Sequence, residues 1–279
     1  MTDAATAFAP GHVTAFFAPV PDDDPAVAGS RGAGLALADG VEVTVRPTGG
    51  DSRLRLNDDP VALDAVEGVL DRLDVTASVE AETDLAVGAG FGVSGATALA
   101  TALAAAEAFD LARSEAELVR AAHAAEVEAG TGLGDVVAQF RGGLPIRLEP
   151  GAPEHGRLDG VAGRPRVEYV TFGELSTESV LAAELAPLRT AGEAALTRLR
   201  RTPTPEELVA AGRSFADDAG LLVPAVAEAI SAVEDAGGRA SMAMLGRTAF
   251  ALDTGLSEAG YDANSAPIHA AGATLLAGE

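Results

Sequence analysis

Gly88-Ala-Gly-Phe-Gly-Val-Ser-Gly-Ala-Thr97 lies between an apolar strand pattern, Val75 to Ala81, and an Ala-rich helical one from about Ala96 to Phe109. The glycines therefore form a strand-to-helix turn. Glycine lets a backbone approach an anion closely, and the free amides and dipole at a helix start attract phosphate oxygens. By itself the pattern serves an unliganded turn equally well. Its companions have to decide.

Downstream, Ser114-Glu-Ala-Glu117 has the form of a capping box and starts a helix running to about Glu128. Val119, His123 and Glu126 share one stripe of it. A mix of apolar and ionisable residues suits a pocket wall, although Glu126 taken singly is one acid among 42. Gly130-Thr-Gly-Leu-Gly134 breaks the helix, and Asp135 begins a short one, as N-cap or as an acid with chemistry to do. Gly142-Gly143 turns into a strand, Leu144 to Leu148. There Arg147 alternates with inward Ile146 and Leu148, so it reads as an outward charge or as a partner for an anion.

Upstream, Ala7 to Phe17 reads as a strand. Gly34–Ala38 and Val41–Val45 flank Asp39-Gly40, a two-residue hairpin signal. Asp59-Pro60 reads as N-cap and first residue of a helix striped by Leu63, Val66, Val69, Leu70 and Leu73. From Pro150 to Pro165 the chain is rich in Gly and Pro and aperiodic, which places a junction between domains 1–150 and 151–279. A strand at Val167–Phe172 follows, then helices near Leu188–Leu199, Glu206–Ala216 and Pro224–Ala236. Short strands around Ala240–Leu245 and Thr248–Leu252 complete an α+β pattern in two lobes.

Composition narrows the chemistry. There is no Cys, so thiol nucleophiles, disulfides and thiolate metal sites are excluded. All 19 bases are Arg, which removes Walker-type, protein-kinase and Schiff-base mechanisms that depend on Lys. Phosphate chemistry here must use backbone amides, Arg, His or a metal. The net charge of −23 argues against nucleic-acid partners and anionic membranes. Molar salt removes its self-repulsion, because the Debye length falls to about 3 Å at 1 M. An acidic, Lys-free chain resembles cytoplasmic proteins of salt-accumulating, halophilic archaea. Leu85 to Ala106 is uncharged over 22 residues, but its glycines interrupt any spanning helix.

Three segments, in order, resemble the GHMP small-molecule kinases. Ala9-Pro10-Gly11-His12 is similar to their first motif, where Pro-Gly-Arg is commoner. Gly88 to Ala96 is similar to their phosphate-binding loop, usually Pro-x-x-x-Gly-Leu-Gly-Ser-Ser-Ala. Glu126 with Gly130 to Asp135 resembles their helix-borne Glu and downstream catalytic Asp. Gly29-Ser-Arg-Gly-Ala-Gly34, the Gly-Phe-Gly-Val-Ser-Gly loop, Gly132-Leu-Gly-Asp-Val-Val-Ala-Gln139 and Ser241-Met-Ala-Met-Leu-Gly246 look like the archaeal pantoate kinases within that group. Two departures stand out: one Ser where relatives carry two, and a third motif reduced to Met244-Leu245-Gly246.

The resemblance implies a GHMP-kinase fold, with an N-terminal ribosomal-S5-domain-2-like lobe and a C-terminal ferredoxin-like lobe. It implies ATP-dependent phosphorylation of pantoate in coenzyme A biosynthesis, by a cytoplasmic enzyme compatible with a homodimer. Gly88, Ala89, Gly90, Phe91, Gly92, Val93, Ser94 and Gly95 would cradle the ATP phosphates. Ser94 and Glu126 would hold Mg²⁺, and Asp135 would take the hydroxyl proton. Ser30, Arg31, His123 and Arg147 are the candidates for the substrate. Homoserine or shikimate kinase activity, or ligand binding without catalysis, are the rival readings. Retention of Ser94, Glu126 and Asp135 argues against the last.

Overall fold

The computed structural model describes residues 4–173 and 185–277. Two long antiparallel strands, β1 (Ala5–Val20) and β2 (Gly29–Pro47), form its spine. β3 (Arg53–Leu56), β4 (Asp59–Pro60) and β5 (Ala77–Glu82) extend the sheet beyond β2. β3 and β5 run parallel, with α1 (Asp64–Leu73) between them in sequence. β6 (Leu144–Glu149) pairs with the other end of β2, and β7 (Arg157–Val161) pairs with β6. α2 (Val93–Ala108), α3 (Glu115–Glu128) and α4 (Asp135–Arg141) pack together over this sheet. α2 is buried on nearly every side, and its alanines let the sheet, α1 and α3 all close on it.

The second layer is a four-stranded sheet, β11-β8-β10-β9. Its strands are β8 (Arg166–Thr171), β9 (Ala240–Ala243), β10 (Thr248–Leu252) and β11 (Asn264–Pro267). α5 (Leu185–Arg201) and α6 (Pro205–Asp218) pack directly on β1. α7 (Pro224–Asp235) and the short α8 (Gly255–Glu258) cover β9 and β10. β12 (Thr274–Leu275) returns to the large sheet and pairs with β1. On its way, the His269 carbonyl accepts from Gly143 N and the Ala273 amide donates to the Gln139 carbonyl, so this segment braces α4. The large sheet thus draws strands from both sides of residue 150. No helix among the described residues is long and apolar enough to cross a membrane.

The Ser114 capping box is formed, with the N-cap side chain and Glu117 exchanging bonds. The stripe Val66, Val69, Leu70 and Leu73 is buried as its period requires. Several expectations are corrected. Asp39-Gly40 is not a hairpin: β2 runs through it with a bulge, Ala38 and Asp39 being the extra residues opposite the Pro10–Gly11 step of β1. A side chain at Gly40 would collide with the Ala9 carbonyl, so this glycine serves close strand approach. The two-residue turn lies instead at Asn57-Asp58, both at positive φ, between β3 and β4. Asp59-Pro60 is consequently a strand, and α1 starts at Asp64 with Leu63 as N-cap.

Candidate active site

Gly88, Gly90 and Gly92 alternate through the loop at φ 74°, 93° and 62°, a left-handed region that favours glycine. The residues between them turn inward: Ala89 and Phe91 are buried, and Phe91 packs edge-on against Tyr169 at 4.9 Å. The Phe91 carbonyl accepts from His12 N at 2.8 Å, tying the loop to β1. α2 begins at Val93, earlier than the helical pattern predicts, with Gly92 as N-cap and no side-chain cap. The first-turn amides of Val93, Ser94 and Gly95 are thereby left without helical partners at the positive end of a 16-residue helix.

A cleft of about 500 Å³ opens at this helix start. Thr14, Leu63, Ser94, Glu126, Thr131 and Asp135 are among its walls. A larger groove beside Arg53, Leu54 and Glu67 has no comparable convergence of buried polar groups.

Across the cleft, Glu126 on α3 lines the wall, while Val119 and His123 of the same stripe are buried without lining it. The Ser94 hydroxyl donates to Glu126 Oε2 at 3.0 Å, with Thr131 Oγ1 3.3 Å from Ser94. Burial, and then the charge of Asp135, push the Glu126 carboxyl up to about 7; the Ser94 and Thr131 hydrogen bonds offset this only partly. Gly132 keeps the two acids close. A Cβ there would sit 2.7 Å from Glu126 Oε1 and 3.3 Å from Asp135 Oδ2.

Asp135 is the first residue of α4, and the N-cap is Gly134, so the capping reading of Asp135 is corrected. Its carboxylate faces β1, where His12 Nδ1–H donates to Oδ1 at 2.7 Å and Thr14 donates at 3.3 Å. Burial by itself would raise the Asp135 carboxyl. The His12 hydrogen bond and the His12 and Arg147 charges outweigh it and hold the acid below the usual carboxylate range. Burial also lowers the His12 imidazole, only partly offset by Asp135. At neutral pH the pair is therefore an ionised carboxylate receiving a neutral N–H.

Arg147 corrects the outward-charge reading: it is 2% exposed. Its Nε and Nη2 reach Ser30 O and Oγ at 3.4 Å each, and Nη1 has no partner among the described residues. Beside it, His123 Nε2–H donates to the Ala28 carbonyl at 2.9 Å, while Nδ1 has no partner among the described residues. Burial lowers the His123 imidazole, with the Arg147 charge adding to the effect, so Nδ1 presents a lone pair. Ser30, His123 and Arg147 thus come together behind Asp135. Arg31 does not join them. It points to the other face of β2 and pairs with Glu149 at 3.3 Å and Glu193 at 3.0 Å. Sequence reasoning missed His12 and Thr14 as partners of Asp135. The signal was present in Pro-Gly-His, and Thr14 follows two residues on, on the same strand face.

The GHMP kinases N terminal domain matches residues 61–143. The pantoate kinase of Thermococcus kodakarensis is 37% identical over 261 residues, covering 88% of this chain and 86% of that protein. The chain belongs to the pantoate kinase family of GHMP kinases. A solved structure described as a phosphotransferase related to the CoA biosynthesis pathway superposes with a TM-score of 0.87 at 31% identity, covering 98% of each chain. A homoserine kinase from Cytophaga hutchinsonii gives a TM-score of 0.72 at 18% identity over 99% of this chain and 98% of that one, a likeness of fold alone. Within the pantoate kinase family fold, Ser94, Glu126 and Asp135 meet at one cleft, and the buried Arg147 group lies beside it.

Proposed function

We propose that this protein transfers the γ-phosphoryl group of ATP to the primary hydroxyl of pantoate, giving 4-phosphopantoate for coenzyme A synthesis. The observation that carries the reading is the buried Arg147 close enough to act on Asp135, its Nη1 and the nearby His123 Nδ1 both without a partner among the described residues. A desolvated carboxylate needs such a cation, and a second hydroxyl needs such an acceptor. Pantoate offers both at the end opposite its reactive hydroxyl. Arg147 and Ser30 take the carboxylate, and His123 Nδ1 accepts from the 2-hydroxyl.

The ATP phosphates lie on the amides from Gly88 to Gly95. Magnesium fits the donor set beside them, because Ser94 and Glu126 offer hard oxygens and the buried Glu126 has no cationic partner among the described residues. When bound, it neutralises charge on the transferring group. Asp135 receives the proton of the attacking hydroxyl, while His12 and Thr14 hold its Oδ1 so that Oδ2 faces the substrate. A lowered pKa makes Asp135 a weak base. That suffices where the transition state is loose and the proton leaves late.

The lobe division at 150/151, with β7 and β12 reaching back into the first lobe, belongs to this proposal. So do the cytoplasmic, halophilic setting, supported by the −23 charge, and a homodimer, which rests on the resemblance alone. A phosphoryl-transfer screen with pantoate, homoserine, shikimate and mevalonate in high-salt buffer tests the reading. Phosphorus NMR should show 4-phosphopantoate as the main product. Homoserine phosphate or shikimate phosphate would overturn the substrate, and no turnover of ATP would favour a binding protein.

A further inference from the structure

The mechanism above leaves one fully buried polar residue of the Gly132–Gln139 segment unused. Gln139 lies one turn beyond Asp135 on α4 and is 0% exposed. Its Nε2 donates to the Gly92 carbonyl at 2.8 Å. Its Oε1 has no hydrogen-bond partner among the described residues and lies against Gly95, where an added Cβ would sit 3.1 Å away. The reverse orientation of the amide would set Oε1 against the Gly92 carbonyl, acceptor to acceptor, so the donation fixes which way the side chain faces.

The peptide that follows Gly92 is planar and trans, so its carbonyl and the Val93 N–H point in opposite directions. Drawing the Gly92 oxygen inward to Gln139 therefore turns the Val93 amide outward, toward the cleft. Gly92 sits at φ 62° with no side-chain cap, and glycine imposes little orientation of its own. The Ala96 amide also reaches the Gly92 oxygen at 3.0 Å, but that bond belongs to α2 and moves with it. Gln139 is a bond from outside the helix. It comes from the same face of α4 that carries Asp135, whose Cβ lies 3.4 Å from the Cβ positions of both Gly92 and Gly95.

We propose that Gln139 is a positioning residue. It aims the Val93 amide at the nucleotide phosphates and sets the spacing between the phosphate loop and Asp135. This rests on the ATP reading given above.

The test uses the full-length protein in high-salt buffer, with Gln139→Met, which keeps the shape and loses the donor, and Gln139→Asn, which keeps the amide and shortens its reach. Direct binding of ATP and of adenosine is measured by calorimetry beside steady-state kinetics. Both variants should weaken ATP binding by about tenfold, roughly the worth of one charge-assisted contact, while adenosine binding stays within twofold. The KM for pantoate should hold, and kcat should fall. ATP binding within twofold of the parent protein refutes the proposal. Equal losses for ATP and adenosine, or failure of both variants to fold, also refute it, in favour of a purely structural role. If the unmodified protein binds no ATP, it is the proposed function that fails.

Discussion

Arg147→Met separates binding from stability more cleanly than any other change in this site. The guanidinium is buried, its two hydrogen bonds to Ser30 are long at 3.4 Å, and Nη1 has no partner among the described residues. Burial lowers its pKa, yet an arginine stays charged. The ligand-free protein therefore bears much of the desolvation cost with little return besides the field of Asp135. A thioether chain of similar length removes that cost and fills the space, so Tm should hold or rise. Pantoate binding should collapse. Breaking a buried charge pair costs about 2–5 kcal/mol, a rise in KM of roughly 30-fold to several thousand-fold. Arg147→Lys should recover part of it, since an ammonium cannot reproduce a planar fork. The assay is ADP release against pantoate at saturating ATP, with the KM for ATP as control. A pantoate KM within threefold of the parent value would refute the carboxylate assignment, and a large fall in Tm would refute the energetic account.

Other outcomes follow from the same geometry. Asp135→Asn should lower kcat by roughly 10²- to 10⁴-fold with little change in ATP affinity, and α4 should stay formed because Asp135 does not cap it; unaltered turnover per folded molecule would exclude it as the base. With magnesium chelated, the raised Glu126 pKa means the fold binds that proton more tightly than the unfolded chain does. Stability should therefore decline from about pH 4.5 to past 7, by at most about 3–4 kcal/mol. Glu126→Gln should flatten that slope in urea titrations, and an unchanged slope would locate the effect elsewhere. Given the −23 charge, Tm by circular dichroism should rise steeply between low salt and molar KCl, and equal values would remove electrostatic repulsion as a factor.

The helices were legible in the sequence because their periods and caps are local: Ser114 and Glu117, or the stripe from Val66 to Leu73, announce themselves within a few residues. Asp39-Gly40 misled for the complementary reason. A hairpin dipeptide and a bulge within one strand look alike until the partner strand is known, and pairing with β1 decided between them. Arg147 shows the same limit. Alternation along β6 gives it a face, but only α4 and the close approach of Gly134 make that face a pocket wall rather than a surface. The His12–Asp135 contact spans most of the first lobe in sequence, and no local pattern in either residue specifies the other.

The docking of β12 on β1 has a consequence in time. Ala273 holds Gln139, His269 holds Gly143, and Leu276 reaches Thr6, so the helix bearing Asp135 is buttressed by residues synthesised long after it. Local helices can form on the ribosome as they emerge, but such sequence-distant pairings are slow and must wait for their second half. The nascent chain can therefore assemble α2 and α3 early while the edge of β1 and the back of α4 stay uncovered. A kinase built in this order waits for β12 before its site is braced, and a polypeptide cut short of β12 is left with an exposed edge on β1 and an unsupported α4.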